Sequence, residues 1–247
     1  MSEYQTKKTS KEKWIWGRHS VEALLETNPE WILELIHLSE EEHADLLGMA
    51  ADHAIACLKA AKMPSDLRGK RHQGIVAKIK RFAFEYFNQQ EEQIKTWVKE
   101  GAVFAVLDRI QDPQNYGAII RSAAGMGLKA ILVPQKHQCP LTGVVAQASA
   151  GTAFRLPLIL CPSLAKSIEF LKSEGSQILA VDMKGEDISD LELSSGSKTW
   201  ILGSEGEGLK PELLKTADRK VSIPLSQGVE SLNVSVSAAL AFFVSRR

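Results

Sequence analysis

In the second half of the chain, short apolar runs alternate with longer amphipathic stretches. Runs at 103–107, 130–133, 156–160, 177–181, 199–202 and 219–224 read as strands. The stretches 115–126, 142–149, 163–173, 211–215 and 231–244 read as helices. Strands that are apolar throughout, rather than at every second position, are buried on both faces, so the alternation predicts a mostly parallel sheet covered by helices on both sides. The first 80 residues carry smaller elements. Trp14 to His19 leads into a helix with Val21, Leu24 and Leu25 on one side, ending near Asn28-Pro29. A strand at 31–38 follows, then a helix at 40–53 with Leu46, Leu47 and Ala50 as its buried stripe, and short strands at 55–58 and 74–79 with a short helix between them. Residues 1–13 read as a flexible polar tail and 14–81 as a compact α/β domain. Where aromatics give way to Asn88-Gln89-Gln90-Glu91-Glu92, residues 82–97 read as a linker, with a helix starting at 94–99 and ended by Gly101, and 98–247 read as the larger domain.

Composition narrows the class without naming a function. Of 247 residues, 44% are hydrophobic and 24% charged, the balance of a globular protein that can bury a core. No run is long and apolar enough to span a bilayer, and the start lacks the apolar core of a signal peptide, so a cytoplasmic location is expected. Cys57, Cys139 and Cys161 are too scattered for a disulfide framework or a metal site and read as reduced thiols. The net charge of zero hides an asymmetry. From His19 to Leu58 there are nine acids and no Lys or Arg, whereas Lys59, Lys62, Arg68, Lys70, Arg71, Lys78, Lys80 and Arg81 oppose only Asp66. The basic run surrounds Pro64 and Gly69 in loop-like sequence, which suits contacts to RNA phosphates better than a merely solvated helix face.

Candidate chemistry concentrates in three loops that each follow a strand and open a helix. The first is Asp108-Arg109-Ile110-Gln111-Asp112-Pro113-Gln114-Asn115-Tyr116-Gly117, continuing to Arg121. The second is Gly203-Ser204-Glu205-Gly206-Glu207-Gly208-Leu209 and the third runs from Ile223 through Glu230-Ser231-Leu232-Asn233. The glycine spacing of the second loop approaches that of a phosphate-binding loop, but Leu209 stands where the lysine belongs and two acids sit where phosphates would lie. Its glycines are expected to let backbone approach a ligand closely. Ser231 reads as the cap of the last helix, which leaves Asn233, with two donors and an acceptor, free for a ligand. Arg121, embedded between Ala118-Ile119-Ile120 and Ser122-Ala123-Ala124, is expected to be buried and functionally employed.

Taken together, the three loops resemble motifs one, two and three of the SpoU-type (TrmH-type) RNA 2'-O-methyltransferases, a branch of the SPOUT superfamily, over residues 103 to the C-terminus. Trp16-Gly17-Arg18-His19 and His72-Gln73-Gly74-Ile75-Val76-Ala77 resemble the substrate-binding domain of the members that act on guanosine of 23S rRNA, a domain with the fold of ribosomal L-thirty-type RNA binders. The resemblance implies a trefoil-knotted sheet that holds S-adenosylmethionine, an obligate homodimer with the active site at the subunit interface, and 2'-O-methylation of a ribose in ribosomal RNA. It assigns Arg121 to the ribose hydroxyl, with Asn115, Glu205, Ser231 and Asn233 holding it and the substrate in place. It assigns cofactor contacts to Gly203, Ile223 and Leu232, with Leu202, Ser204, Gly206, Leu225 and Asn233 beside them. RNA contacts are expected at Arg18, His19, Arg68, Lys70, Arg71 and His72, although a lone His19 or His72 by itself reads better as a hydrogen-bonded structural residue, and no metal is expected. Leu240, Phe242 and Phe243 of the last helix are candidates for the dimer contact or for ordinary core. A tRNA ribose methyltransferase of the same fold, a non-catalytic ribosome-assembly protein and an unrelated nucleotide-binding α/β protein remain as other readings.

Overall fold

In the computed structural model the described residues are 13–80, 82, 84–226 and 228–245, and they fall into two compact units, the first ending at Phe82. In the first unit, strands β1 (Lys13–Trp16), β2 (Ile32–His37), β3 (Ala56–Lys59) and β4 (Ile75–Ile79) form one sheet in the order β1-β4-β2-β3. The central β4 is antiparallel to β1 and β2, and the edge strand β3 is parallel to β2. Helices α1 (Arg18–Thr27) and α2 (Ala44–Asp52) pack against each other and against these strands. The row Ile15, Ala77 and Leu35 is fully buried, together with Val21, Leu24 and Leu25 of α1 and Leu46 and Ala50 of α2. Two expectations need correcting. Lys13 to Trp16 is a strand rather than the approach to a helix, because its alternating side chains pair with β4. Leu47 is only partly buried, since α2 begins after a 3-10 turn at Glu41–His43. The proposed tail lies outside the described residues apart from Lys13.

The second unit holds β5 (Glu85–Tyr86), β6 (Val103–Leu107), β7 (Ala130–Pro134), β8 (Leu158–Cys161), β9 (Gln177–Asp187), β10 (Lys198–Leu202) and β11 (Arg219–Ser222). They form a parallel sheet in the order β11-β9-β10-β6-β7-β8-β5. The connecting helices are α3 (Phe87–Lys99), α4 (Pro113–Gly125), α5 (Gly143–Ala148), α6 (Leu164–Ser173), α7 (Pro211–Leu214) and α8 (Val234–Val244). Phe104, Val106 and Leu132 share a core with residues of α3, α6 and α7. The alternate strand residues Ala105, Ile131, Val133 and Trp200 are equally buried, which is the two-sided burial that continuous apolar strands demand, and α4 packs with α5 and α8.

Residues 82–97 are not a linker. Phe87, Ile94 and Val98 of α3 lie in the core, spaced so that one narrow stripe faces inward while the intervening Gln and Glu, good helix formers, face out. Strand β9 also runs on to Asp187, where a register shift lets its polar end keep pairing with β11.

Candidate active site

The three loops leave the carboxyl ends of β6, β10 and β11, the rim of a parallel sheet where ligands gather. The start of α4 is set by Asp112, whose Oδ1 accepts from the Gln114 N–H at 3.0 Å, with Pro113 in the first turn. Gly117 is required there, since a Cβ would lie 2.5 Å from the Ala148 Cβ and 2.8 Å from the Val145 carbonyl oxygen. Gly203 has the same constraint. A Cβ at that position would fall 2.2 Å from the Gly208 carbonyl carbon, so the loop folds back tightly enough to bridge Ser204 and Gly208.

This folding brings three polar side chains from the three loops together. Asn115 donates through Nδ2 to Glu205 Oε1. Asn233 donates through its own Nδ2 to Asn115 Oδ1 at 2.9 Å and to Glu205 Oε1 at 3.5 Å. Asn115 is 8% exposed, so its amide depends on these partners. The expectation that Ser231 caps the last helix and leaves Asn233 over is reversed. The helix starts at Val234, and Asn233 is its cap, with Oδ1 accepting from the Ser235 N–H at 2.8 Å. One amide thereby both starts α8 and closes the triangle.

Arg121 does not join this cluster. It is exposed, and it lines neither cavity that the three side chains border. Six residues separate it from Asn115, which places it about 240° further round the helix. Ile119, Ile120 and Ala123 take the buried face, so the small apolar neighbours of Arg121 reflect α4 packing rather than burial of the cation.

Two cavities meet at the triangle. One, about 910 Å³, is lined by the glycine loop from Leu202 to Leu209, by residues 230–234 and by Val181, Asp182 and Met183. It includes Gly203, Ser204, Gly206, Ser231, Leu232 and Asn233 from the expected set, whereas Ile223 and Leu225 border a smaller adjoining cavity of about 290 Å³. The other, about 630 Å³, lies beyond the loop against Arg109, Asp112, Asn115, His137 and Lys210. Ser204, Glu205, Glu207 and Val234 border both of the larger cavities.

Sequence reasoning missed Arg109. Its backbone is left-handed, with φ 62°, an uncommon conformation for a side chain of this kind. The guanidinium spans the buried Asp108 carboxylate at 3.1 Å, the Glu207 carboxylate and the Gly208 carbonyl at 3.2 Å, so it clamps the corner of the loop that carries Glu205. Burial opposes its charge, but the Glu207 and Asp108 carboxylates outweigh that and raise its pKa. The only sequence signal was a cation directly after the buried acid at the end of a strand.

In the first unit Arg18 is occupied internally, donating to the Glu42 carbonyl at 3.2 Å and to the Asp45 carboxylate. His72 accepts from the Gly74 N–H at 3.1 Å, a structural role, while His19, Arg68, Lys70 and Arg71 are exposed. Cys57, Cys139 and Cys161 are free thiols, and burial pushes the Cys161 pKa up to about 12. Among the described residues no cluster suited to a metal ion occurs, and no helix is long and apolar enough to cross a membrane.

Residues 102–243 match the model of the SpoU rRNA Methylase family, and residues 14–85 match that of the RNA 2'-O ribose methyltransferase substrate-binding domain. The chain is 34% identical to the 23S rRNA (guanosine-2'-O-)-methyltransferase RlmB of Neisseria meningitidis serogroup B, over 94% of each chain. Its fold is similar to that of an AdoMet-bound rRNA methyltransferase from Sinorhizobium meliloti, with a TM-score of 0.74 and 21% identity over 95% of this chain and 87% of that one. The SpoU methyltransferase AviRb of Streptomyces viridochromogenes, in complex with AdoMet, gives a TM-score of 0.72 and 22% identity over 95% and 89%.

Proposed function

The chain belongs to the SpoU rRNA Methylase family, and from that premise we propose that it is a cytoplasmic, homodimeric enzyme that methylates the 2'-hydroxyl of a guanosine ribose in 23S rRNA. The observation that carries this reading is the junction of two cavities at Asn115, Glu205 and Asn233. A methyl donor on one side of the glycine loop and a nucleotide on the other would meet there. The lining fits S-adenosylmethionine. Leu202, Leu209 and Leu232 offer apolar surface for an adenine, the loop offers close backbone, and Asp182 and Glu230 offer negative charge to a cationic ligand. The trefoil threading expected of the family accords with two distant segments, 202–209 and 230–234, lining one cavity.

Bound S-adenosylmethionine supplies an electrophilic methyl on a positively charged sulfur. The thioether that such a donor would release is neutral, so the site needs no general acid, only a means of positioning the ribose hydroxyl and letting its proton go. Asn115 and Asn233 fix the Glu205 carboxylate at the cavity junction, where it can accept a hydrogen bond from the substrate. Arg121, a permanent cation, orients the hydroxyl and stabilises the developing oxyanion while the proton passes to water. Its distance from the triangle's face of α4 supports a shared site in which one subunit's Arg121 serves the other's cavity junction. Helix α8, packed on α4, carries an apolar stripe at Val236, Leu240 and Phe243, exposed by 46%, 40% and 51%, which suits a subunit contact. Phe242 does not belong to the stripe, since it is fully buried within the chain.

The test is to incubate the protein with methyl-labelled S-adenosylmethionine and separated rRNA and tRNA from cells lacking it, then to map the labelled ribose. Label on a 23S rRNA guanosine is expected. Label only on tRNA would replace the substrate class, and no label on either would remove the reading.

A further inference from the structure

The first unit has two unlike faces, and RNA can approach only one of them favourably. On the side covered by α1 and α2, the outward surface carries exposed Glu26, Glu41, Glu42, Asp45 and Asp52, and the nearby cation Arg18 is already held by Asp45. A phosphate backbone would be repelled there. Among the described residues the opposite face of the sheet carries no α-helix. Strand alternation and register place Trp14, Lys78 and Glu34 in one row across β1, β4 and β2, with Trp16, Val76 and Ile36 in the next.

Charge and aromatic surface coincide on this helix-free face. The Lys70 ammonium lies 5.7 Å from the centre of the Trp16 ring, and the 60–74 loop buries Leu67 and leaves Trp16 only 6% exposed. One row away Trp14 is only partly covered, with the Lys78 ammonium 5.8 Å from its ring and the Glu34 carboxylate 3.4 Å from that ammonium. Lys70 belongs to the 60–74 loop, where Arg68 and Arg71 are also exposed, while exposed Lys59 ends the opposite edge strand β3 and exposed Lys62 follows it. A partly exposed ring flanked by cations is the arrangement that stacks an unpaired base while holding the phosphates on either side of it.

We propose that this helix-free face binds a single-stranded segment of the substrate RNA, with Trp14 stacking one base, Lys78 beside the stack, and Lys70 and Arg71 holding the adjoining phosphates. The assignment depends on the methyltransferase reading only for the partner being RNA. It moves the expected contact away from Arg18 and the acidic helix side.

The experiment uses the full-length protein and transcribed 23S rRNA, measuring affinity against salt concentration and, separately, methyl transfer. Trp14→Ala should weaken binding roughly tenfold, the loss expected of one stacked base, and Trp14→Phe should restore most of it. The exposed Lys70→Glu and Arg71→Glu changes together should flatten the logarithmic salt dependence by about 1 to 2, with the fold intact by circular dichroism. Asp52→Asn on the helix side should change neither. Crosslinking with 4-thiouridine-substituted RNA should label peptides containing Trp14 or residues 67–80. Crosslinks confined to α1 and α2, or unaltered affinity in both Trp14→Ala and the double charge reversal, would overturn the proposal. If the unsubstituted protein binds this RNA without methylating it, the functional reading fails and the surface assignment stands or falls on the binding data alone.

Discussion

The triangle of Asn115, Glu205 and Asn233 and the cation Arg121 share α4, yet one chain completes only the first. The triangle draws one residue from each of three loops and satisfies itself by hydrogen bonds, whereas Arg121 sits exposed on another face of the same helix. Groups that a fold brings together and groups that it turns outward need different explanations. The first follow from closure of the chain, while an exposed cation on α4, whose neighbour α8 carries an exposed apolar stripe, points to completion by another molecule.

Disrupting the stripe should have the largest effect. Leu240→Glu with Phe243→Glu places charges where an apolar contact is expected, and sedimentation should show a folded monomer with no methyl transfer. An active monomer would dissolve the distinction between the two regions. Next in size, Arg121→Ala should lower kcat by about 10²- to 10³-fold, the loss typical of a group that stabilises developing negative charge. Calorimetry should find S-adenosylmethionine binding intact and a stability change within about 0.5 kcal/mol, as for an exposed position.

Asn233 separates structural from chemical roles. Asn233→Ala removes the α8 cap and should cost about 1 kcal/mol of stability in denaturant titration. Asn233→Ser should keep most of the capping but not the donor to Asn115, so stability should recover while kcat stays low. The smallest effect is expected at Arg109. There Arg109→Gly relieves a left-handed backbone but releases Glu207 and Gly208 and strips the buried Asp108 carboxylate of its cation, so KM for S-adenosylmethionine should rise several-fold and the melting temperature should fall.

These same regions explain what was legible in the sequence. The strands of the second unit are local signals, apolar runs that appear at nearly the expected positions, whereas α4 starts at Pro113 rather than the expected Asn115 because Asp112 caps it. Three loops with unusual polar residues were also visible, although composition said nothing of what they would hold. The cap of α8 was misplaced by two residues because Ser and Asn both cap well, and only the tertiary pull of Asn115 and Glu205 on Asn233 decides between them. Arg121 was misjudged because apolar neighbours along a helix do not say which way a side chain turns. The first half of helix α3, before Ile94, was hidden by the opposite effect, since its few buried positions are diluted among Gln and Glu.

Co-expression of Arg121→Ala and Glu205→Gln subunits carrying different tags, followed by purification through both tags, tests the shared site most directly. Each such heterodimer should contain one site with both groups intact and one lacking both, so roughly half of the unsubstituted activity per dimer should return although each variant alone is inactive. A heterodimer as inactive as its parents would show that Arg121 and Glu205 must come from the same chain, contrary to this account.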